Sequence, residues 1–402
     1  MVQTPNNHWA IFLSNTTNYQ TLVEQLLQGR ATEPFTAFNT QKGLLFSSII
    51  LNAFIADEDR HDYSDVLTNT SRTLKSMSSG ERKKALLIYL LSQQPDFIIL
   101  DNPFDNLDMA SQHSLHEALS AIAHQLSIIQ LATRKLDKLP FITNTYALDD
   151  KTISDSWHFT GNIPPPIKHY QIETDILVDF RNVTVTYEDR TIINNINWTI
   201  KGGEFWQLIG PNGSGKTTML TMINGDNPKA YGQDLYLFGK RKGSGETVWD
   251  IKDKIGYLTP AMTDLFSTRH TLSQMIIGGF LDSIGLYHLP SDGQLKLAND
   301  WLVLIGMTHL KNIPFCKLSM GQQRMALIAR AMVKHPPLLI LDEPTEGLDD
   351  HNISLLSSLI NKIAAESSTA ILYVSHRTEP DIKPQFVFEL VPTGKGSTGV
   401  VR

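Results

Sequence analysis

The sequence contains an internal repeat. Residues 77–108 align with residues 318–349 at a constant offset of 241 residues, without a gap. A weaker similarity relates residues 8–15 to residues 205–212 at an offset of 197 residues. Because the two offsets differ by 44 residues, the first copy has lost that many residues between the two landmarks. The chain is therefore expected to fold as two related domains, of which the first is shortened.

The length and composition fit this organisation and exclude several classes of protein. The chain has 402 residues, which at about 100–200 residues per domain is enough for two. Its net charge of −6 gives no overall attraction to nucleic acid, so no nucleic-acid partner is expected. The single cysteine, Cys316, excludes an intramolecular disulfide and favours a reducing compartment. With no signal-like start and no run near the ~18–20 apolar residues of a membrane span, a cytoplasmic location is predicted.

A proline-rich segment separates the two copies. Residues 163–168 read Ile-Pro-Pro-Pro-Ile-Lys, and proline stiffens such a segment into an extended linker because it fixes φ. The predicted organisation is a degenerate domain over residues 1–160, the linker over residues 161–174 and a complete domain over residues 175–402.

The second domain has a mixed α/β pattern. Apolar alternation and short buried runs predict strands, and a helix is predicted directly after a glycine-rich turn. The predicted strands cover residues 177–187, 191–200, 204–210, 338–342 and 370–375, and the helix covers residues 216–224. Strands that alternate with helices imply a mainly parallel sheet, with ligands at the carboxyl ends of the strands.

A phosphate-binding motif follows the third of these strands. Its residues fit the pattern G-x-x-x-x-G-K-[ST], and they are Gly210, Pro211, Asn212, Gly213, Ser214, Gly215, Lys216 and Thr217, with Thr218 next in the chain. Glycines let successive backbone N–H groups point at an anion, and the following helix presents its positive end. Lys216 is predicted to neutralise phosphate oxygens and Thr217 to bind Mg²⁺. A glycine-rich turn without a ligand is disfavoured because both the strand and the helix are predicted.

Polar residues at three other predicted strand ends complete a candidate site. Asp342 ends a buried strand, where a carboxylate is costly unless it meets a cation, so it is expected to bind Mg²⁺. Glu343 is expected to polarise the attacking water. His376 is predicted to contact the γ-phosphate, although a lone histidine is more often structural. Tyr187 is predicted to stack on adenine, with packing as the alternative role for an aromatic side chain there.

The second domain resembles the ABC-type ATPases. Residues 318–322, Leu-Ser-Met-Gly-Gln, resemble the signature motif of that family, and with the phosphate loop, residues 347–349 and His376 the resemblance covers residues 175–380. The first domain resembles an ABC cassette through Ser78, Ser79, Gly80, Glu81, Asp101, Leu107 and Asp108. Residues 231–252 and 281–287 are similar, more narrowly, to twin-cassette ATPases of the ModF type, a family linked to molybdate transport or photorepair.

This resemblance implies a fold and a geometry. The implied fold is α/β, two tandem ABC-type P-loop NTPase domains, each with a RecA-like core and a helical subdomain that carries the signature. In that family two cassettes close head to tail, so that each ATP lies between the phosphate loop of one and the signature of the other. The implied cofactors are ATP and Mg²⁺. The implied partner is a membrane permease or another protein, which would place the chain at the inner face of the membrane.

The first domain departs from the family pattern at its own ATP site. Residues 13–20 stand where the phosphate loop stands in the second domain; the glycines are missing there and Tyr19 replaces the lysine. Asn102 replaces the glutamate, and Arg134 occupies the place of the histidine. Only eight residues precede Trp9, too few for strands that would carry an adenine-stacking aromatic residue. We therefore expect this site not to bind ATP.

The signature of the first domain keeps the residue types that contact a γ-phosphate. In the head-to-tail geometry Ser78, Ser79 and Gly80 would complete the intact site of the second domain, which predicts one working ATP site formed by both domains. The second domain also departs from the family, since Pro260 stands where ABC cassettes usually carry a glutamine. That change leaves Mg²⁺ coordination less complete and weakens coupling to a permease.

Three functions stay open on the sequence alone. The first is an ATPase whose hydrolysis drives closing and opening of the two domains, linked by the resemblance to molybdate transport. The second is a slow, nucleotide-gated regulatory or binding module. The third, a ribosome-associated twin cassette, is disfavoured because such proteins usually have a long charged helical linker, whereas residues 162–170 are short and proline-rich.

Overall fold

The computed structural model describes residues 7–15, 17–61, 66, 73–148, 159, 161–266, 269–376 and 379–402. The chain divides into two compact units, Met1–Ile153 with Gly347–His351 and Ser154–Glu346 with Asn352–Arg402. No helix among these described residues is long and apolar enough to cross a membrane.

The first unit is built on a five-stranded parallel sheet with the order β2-β3-β4-β1-β5. The strands are β1 (Trp9–Phe12), β2 (Gly43–Phe46), β3 (Phe97–Asp101), β4 (Ser127–Ala132) and β5 (Asn144–Ala147). The helices are α1 (Gln20–Leu27), α2 (Ser48–His61), α3 (Ser79–Ser92) and α4 (Met109–Ile122). Alternate residues of β3 enter two different apolar clusters, Ile98 in one and Ile99 in the other. The sheet is thus covered on both faces, as parallel sheets require.

The second unit contains two sheets, one antiparallel with the order β10-β9-β6-β7 and one six-stranded with the order β11-β12-β13-β8-β14-β15. The strands are β6 (Ile176–Tyr187), β7 (Arg190–Lys201), β8 (Phe205–Ile209), β9 (Leu235–Leu237), β10 (Lys240–Arg241), β11 (Ile255–Leu258), β12 (Leu338–Asp342), β13 (Ala370–Val374), β14 (Phe386–Val391) and β15 (Thr398–Val401). The helices are α5 (Lys216–Ile223), α6 (Val248–Lys252), α7 (Leu272–Ile277), α8 (Asp292–Leu304), α9 (Met320–Met332) and α10 (Asp350–Glu366), of which α10 has its first two residues in the first unit. The predicted element bounds agree with these within one residue.

The sheet of the first unit has the same strand order as the parallel part of the six-stranded sheet in the second unit. The sequence β2-β3-β4-β1-β5 in the first corresponds to β11-β12-β13-β8-β14 in the second. The repeat places Asp101 at the end of β3 and Asp342 at the end of β12, so the two carboxylates hold equivalent positions. The mixed α/β architecture predicted from the sequence is confirmed.

The proline-rich segment has no regular secondary structure and packs on the second unit. The N–H of Ile163 donates to Glu366 Oε2 at 3.0 Å, and Tyr170 Oη donates to the Asp253 carbonyl at 2.8 Å. The ammonium of Lys168 forms an ion pair with Asp253 at 2.6 Å. These contacts hold the described part of the segment, residues 161–174, against one unit.

Candidate nucleotide-binding site

The phosphate loop connects β8 to α5, and its conformation depends on glycine. Gly213 and Gly215 adopt φ values of 75° and 102°, in the region that side chains with a Cβ rarely occupy. A Cβ at Gly215 would also lie 2.5 Å from Ile193 Cγ2. Gly215 is the residue directly before α5, so the loop ends where the helix exposes its first backbone N–H groups. This is a geometry suited to an anion.

Lys216 and Ser214 point into the same loop. Lys216 Nζ donates to the Gly210 carbonyl at 2.6 Å and to the Pro211 carbonyl at 3.2 Å. These bonds hold the ammonium against the backbone of the phosphate loop. Ser214 is 2% exposed, and its hydroxyl has no hydrogen-bond partner among the described residues. A buried polar atom without a partner is uncommon, and an anion in the loop would supply one.

Asp342 lies in an environment that disfavours its negative charge. Burial, and then the neighbouring Glu343, raise the pKa of Asp342 to about 6, while Lys216 opposes the shift. A carboxylate held in this way gains from a divalent cation, because the cation balances the charge that burial disfavours. The donor set therefore fits Mg²⁺, with Asp342 and the Thr217 hydroxyl as the protein oxygens that would hold it.

Glu343 and His376 form a pair next to Asp342. Glu343 has a φ of 49°, and its N–H donates to the Val374 carbonyl at 2.9 Å, which fixes this turn against β13. His376 Nδ1 lies 3.0 Å from Glu343 Oε1. The other ring nitrogen, His376 Nε2, is buried and has no hydrogen-bond partner among the described residues. The Glu343 carboxylate can therefore accept a proton, and His376 Nε2 can form a hydrogen bond with a ligand.

Tyr187 is the last residue of β6, next to the hairpin turn that connects β6 to β7. Tyr187 is 40% exposed, so part of its ring is accessible to a ligand, and the ammonium of Lys229 lies over the ring at 5.7 Å from its centroid. Its hydroxyl accepts a hydrogen bond from Asn227 Nδ2 at 2.9 Å.

The structure brings most of the predicted site residues around one open cavity of about 480 Å³. Those lining it are Tyr187, Asn212, Gly213, Gly215, Lys216, Thr217, Thr218, Asp342 and Glu343. Arg190 and Ile192 line it as well and were not predicted. Arg190 could have been predicted from the β6–β7 hairpin, because it pairs with Tyr187 across the turn. Ser78, Ser79 and Gly80 lie in the first unit, at the start of α3.

Pro260, which stands where ABC cassettes usually carry a glutamine, begins a 3-10 helix, Pro260–Leu265. Its carbonyl accepts from Arg324 Nη1 at 3.3 Å, and Thr263 Oγ1 lies 2.7 Å from the same nitrogen. Burial lowers the pKa of Arg324. This segment is therefore fixed to α9 and offers no side-chain oxygen of its own at position 260.

The two signature motifs have the same local structure. Ser78 caps α3 and Ser319 caps α9, each in a capping box with the residue three positions later. The glycines in both motifs are tightly packed, since a Cβ at Gly80 would lie 2.6 Å from Ser111 Oγ and one at Gly321 would lie 1.8 Å from Asn352 Oδ1. The sequence resemblance between the motifs thus extends to their packing.

The first unit has a different arrangement where the second has its phosphate loop. Tyr19 Oη donates to the two carboxylate oxygens of Asp101 at 3.3 and 3.1 Å. Burial and Asp101 raise the pKa of Tyr19 to about 12, so the phenol stays neutral. Asn102 keeps the left-handed backbone of Glu343, with a φ of 41°, but its side-chain oxygen accepts from Thr133 N–H at 3.1 Å. Thr16 of this loop lies outside the described residues.

The fold and the site define a nucleotide-binding cassette, and comparisons with known proteins identify its class. The ABC transporter family matches residues 193–346. The chain is 40% identical to the ABC transporter ATP-binding protein ModF of Escherichia coli, over 77% of this chain and 68% of that protein. It is 32% identical to an uncharacterized ABC transporter ATP-binding protein of Schizosaccharomyces pombe, over 76% and 66% respectively. The chain belongs to the ABC-type ATP-binding proteins and is an ATPase of that family.

A solved structure matches part of the chain. It is cbiO1 of Clostridium perfringens, part of the ABC transporter complex cbiONQ, with 27% sequence identity and a TM-score of 0.48. The alignment covers 56% of this chain and 88% of that chain. The predicted resemblance to ABC ATPases, and to the ModF type in particular, is confirmed by the sequence comparisons.

The raised pKa of Asp342 predicts that its negative charge destabilises the nucleotide-free protein at neutral pH. At neutral pH its ionised form costs about 2–3 kcal/mol relative to an ordinary aspartate, because the pKa is about 6 rather than 3.8. This cost is present above pH 6 and disappears as the pH falls towards 4. Asp342→Asn should therefore raise the melting temperature of the nucleotide-free protein by several degrees at pH 7.5 and by less at pH 5, in differential scanning fluorimetry.

The matched control is Asp250→Asn, at the start of α6. Backbone and side-chain hydrogen bonds from Thr247 lower the pKa of Asp250, so this substitution should slightly lower the melting temperature. An equal gain from Asp342→Asn at both pH values would show that the buried charge is not the cause.

Proposed function

We propose that the chain binds and hydrolyses one Mg-ATP at a composite site, formed by the phosphate loop of the second domain and the signature of the first. The first domain is the one predicted over residues 1–160, and the second is the one predicted over residues 175–402. The observation that supports the proposal most is a contrast between equivalent positions of the two domains. In the second domain Lys216 and Asp342 line an open cavity with Glu343. In the first domain the equivalent residues, Tyr19 and Asp101, are hydrogen-bonded to each other. Hydrolysis would drive the closing and opening of the two domains.

Each residue of the intact site has a distinct role in this proposal. Gly210, Pro211, Asn212, Gly213, Ser214, Gly215 and Thr218 contribute loop backbone and hydroxyl groups around the phosphates. Lys216 exchanges its bonds to loop carbonyls for bonds to phosphate oxygens. Tyr187 offers its exposed ring to the adenine. Thr217 and Asp342 would hold Mg²⁺, which when bound neutralises charge on the β- and γ-phosphates.

The chemical step is carried by Glu343 and His376. Glu343 accepts a proton from the water that attacks the γ-phosphate, and its position beside the cavity suits that role. His376 Nδ1 lies 3.0 Å from Glu343 Oε1. In the imidazolium form, which has an N–H on each ring nitrogen, Nδ1 would donate to this carboxylate and Nε2 would donate to a γ-phosphate oxygen. Ser78, Ser79 and Gly80 would approach that phosphate from the first domain, with the N-terminal end of α3 adding a favourable dipole.

A second function, a slow nucleotide-gated regulatory or binding module, is favoured by one observation. Pro260 supplies no side-chain oxygen to the cation, and its segment is fixed to α9 by Arg324. Turnover without that oxygen is expected to be slow. A kcat far below about 1 s⁻¹, the lower end of the usual enzyme range, would favour this module over an ATPase that drives transport.

The downstream partner is proposed from similarity. The similarity to ModF, an ABC transporter ATP-binding protein, supports a membrane permease as the partner and a location in the cytoplasm at the inner face of the membrane. A link to molybdate transport is proposed from the resemblance to twin-cassette ATPases of the ModF type. Co-purification of the chain with membranes in the presence of ATP, and its loss after ATP is removed, would support a permease partner.

The composite site predicts a stoichiometry of one nucleotide per chain. Equilibrium dialysis with Mg²⁺ and a non-hydrolysable ATP analogue should give one bound nucleotide, because the first domain has no glycine loop and no lysine at position 19. Lys216→Ala should abolish this binding, since the phosphates lose their main cation. Tyr19→Phe, which removes only the hydroxyl on Asp101, should leave the value at one. Two bound nucleotides per chain would contradict the proposal.

A further inference from the structure

A chain of hydrogen bonds joins the two ends of the cavity, from the aromatic ring at one end to the phosphate loop at the other. From this geometry we propose that Asn227 is a positioning residue, which holds Tyr187 at a fixed place relative to the phosphate loop. It thereby strengthens the binding of nucleoside triphosphates. This inference rests on the proposed function, in which Tyr187 stacks on the base.

Asn227 lies in the turn after α5 and bridges two elements. It is 6% exposed, and it precedes the short 3-10 helix Pro228–Ala230. Its Nδ2 donates to Tyr187 Oη at 2.9 Å and to Thr221 Oγ1 at 3.2 Å. One side chain thus contacts both the strand that carries the ring and the helix that follows the phosphate loop.

Thr221 connects this bridge to the first turn of α5. Its Oγ1 donates to the Thr217 carbonyl at 2.8 Å and lies 3.0 Å from the Thr218 carbonyl. Thr217 is the residue that would hold the cation. The path therefore runs from the aromatic hydroxyl through two side chains to the backbone of the phosphate site.

The orientation of the Asn227 amide is fixed by a backbone donor. Its Oδ1 accepts from the Lys229 N–H at 3.0 Å, and because an N–H cannot accept, the oxygen has to face it. The NH₂ group then faces Tyr187 and Thr221, with one proton for each. The backbone N–H of Asn227 donates to the Thr221 carbonyl at 3.1 Å. With these bonds made, the side chain has no alternative orientation of equal energy.

The consequence for binding follows from the exposure of the ring. Without such a bond, a partly exposed tyrosine at a strand end would sample several rotamers, and a ligand that stacks on it would have to restrict them. The bond from Asn227 restricts the ring before the ligand arrives. Losing that bond should weaken ATP binding about three- to tenfold, the effect of one net hydrogen bond.

The test compares ATP with inorganic tripolyphosphate, which has the phosphates and lacks the base. Isothermal titration calorimetry on the full chain should show ATP binding weakened about three- to tenfold in Asn227→Ala and in Tyr187→Phe. Tripolyphosphate binding should stay unchanged. KM for ATP should rise by more than kcat falls. The double variant should bind ATP as the weaker single variant does, because both remove the same bond.

The matched control is Asn197→Ala. Asn197 makes similar local hydrogen bonds, to Asn182 and Asn195, in the same antiparallel sheet and far along the strands from Tyr187. Asn197→Ala should leave the affinities for ATP and for tripolyphosphate unchanged. Tyr187→Phe retains the ring and its packing, so it reports on the bond even if Asn227→Ala fails to fold.

Two outcomes separate this inference from the proposed function. Unchanged ATP affinity in Tyr187→Phe and Asn227→Ala, with weaker ATP binding in Tyr187→Ala, would overturn the positioning role and leave the base site intact. Unchanged ATP affinity in Tyr187→Ala would overturn both, because the base would then not stack on this ring. A parallel loss of tripolyphosphate affinity in Asn227→Ala would assign Asn227 to the integrity of α5 instead.

Discussion

Replacing Glu343 by glutamine should lower ATP turnover by about 10²–10⁴-fold while ATP binding is retained. The amide has the size of the carboxylate but cannot accept a proton from the attacking water. Steady-state phosphate release and ATP affinity, measured on the same preparation, give the two quantities. A turnover within a few-fold of the parent would mean that the proton goes elsewhere.

The control for this prediction is Glu346→Gln, on the same loop three residues further along the chain. It removes one negative charge near Asp342 without touching the proposed base, and the same charge contributes to the raised pKa of Asp342. Turnover in Glu346→Gln should stay within a few-fold of the parent. A comparable collapse in both variants would point to loop charge as the cause, and not to proton transfer.

A negative charge in the signature of the first domain should abolish hydrolysis, whereas the same charge in the second signature should have little effect. Ser79 and Met320 are the first helical residues of α3 and α9, and glutamate is favourable at such a position because of the helix dipole. In Ser79→Glu the carboxylate would oppose the γ-phosphate, and like charges repel strongly in a site shielded from water. We expect a loss of at least about 10²-fold in kcat/KM, equivalent to about 3 kcal/mol.

Met320→Glu is the matched control, since Met320 is 42% exposed and its signature belongs to no working ATP site in the proposed function. Substitution at Gly80 or Gly321 is less informative, because a Cβ at either glycine meets a side chain of the neighbouring helix. If two second domains of different chains paired instead, Met320→Glu would be the damaging variant. ATPase rates, with the molecular mass from light scattering, distinguish the two arrangements.

The fold was predictable because its determinants are local or repeated. Short apolar runs bounded by turns predicted β8, β12 and β13, and the glycine loop located α5. Asp342 and Glu343 could be placed beside Lys216 since the carboxyl ends of parallel strands meet at one edge of a sheet. The family resemblance then supplied the fold of segments, such as the one carrying the signature, whose pattern alone is less specific.

What the sequence did not predict depends on contacts between distant residues. Nothing in the order of residues places the Asn227 amide between Tyr187 and Thr221, because a turn brings the residue back towards a strand that lies 40 positions earlier. Loss of the lysine at position 19 was evident, but the bond from Tyr19 to Asp101 requires the three-dimensional position of both. The crowding at Gly321 likewise comes from Asn352, on another helix.

The bond between Tyr19 and Asp101 affects what a return to lysine at position 19 could achieve. A mutation that restored lysine at position 19 would place its ammonium next to the Asp101 carboxylate, and the two would form an ion pair in place of the present hydrogen bond. With no glycine among residues 13–20, such a revertant would still lack the backbone amides that make an anion site. A single substitution would therefore not give residues 13–20 a phosphate site, because glycines are needed there as well as the lysine.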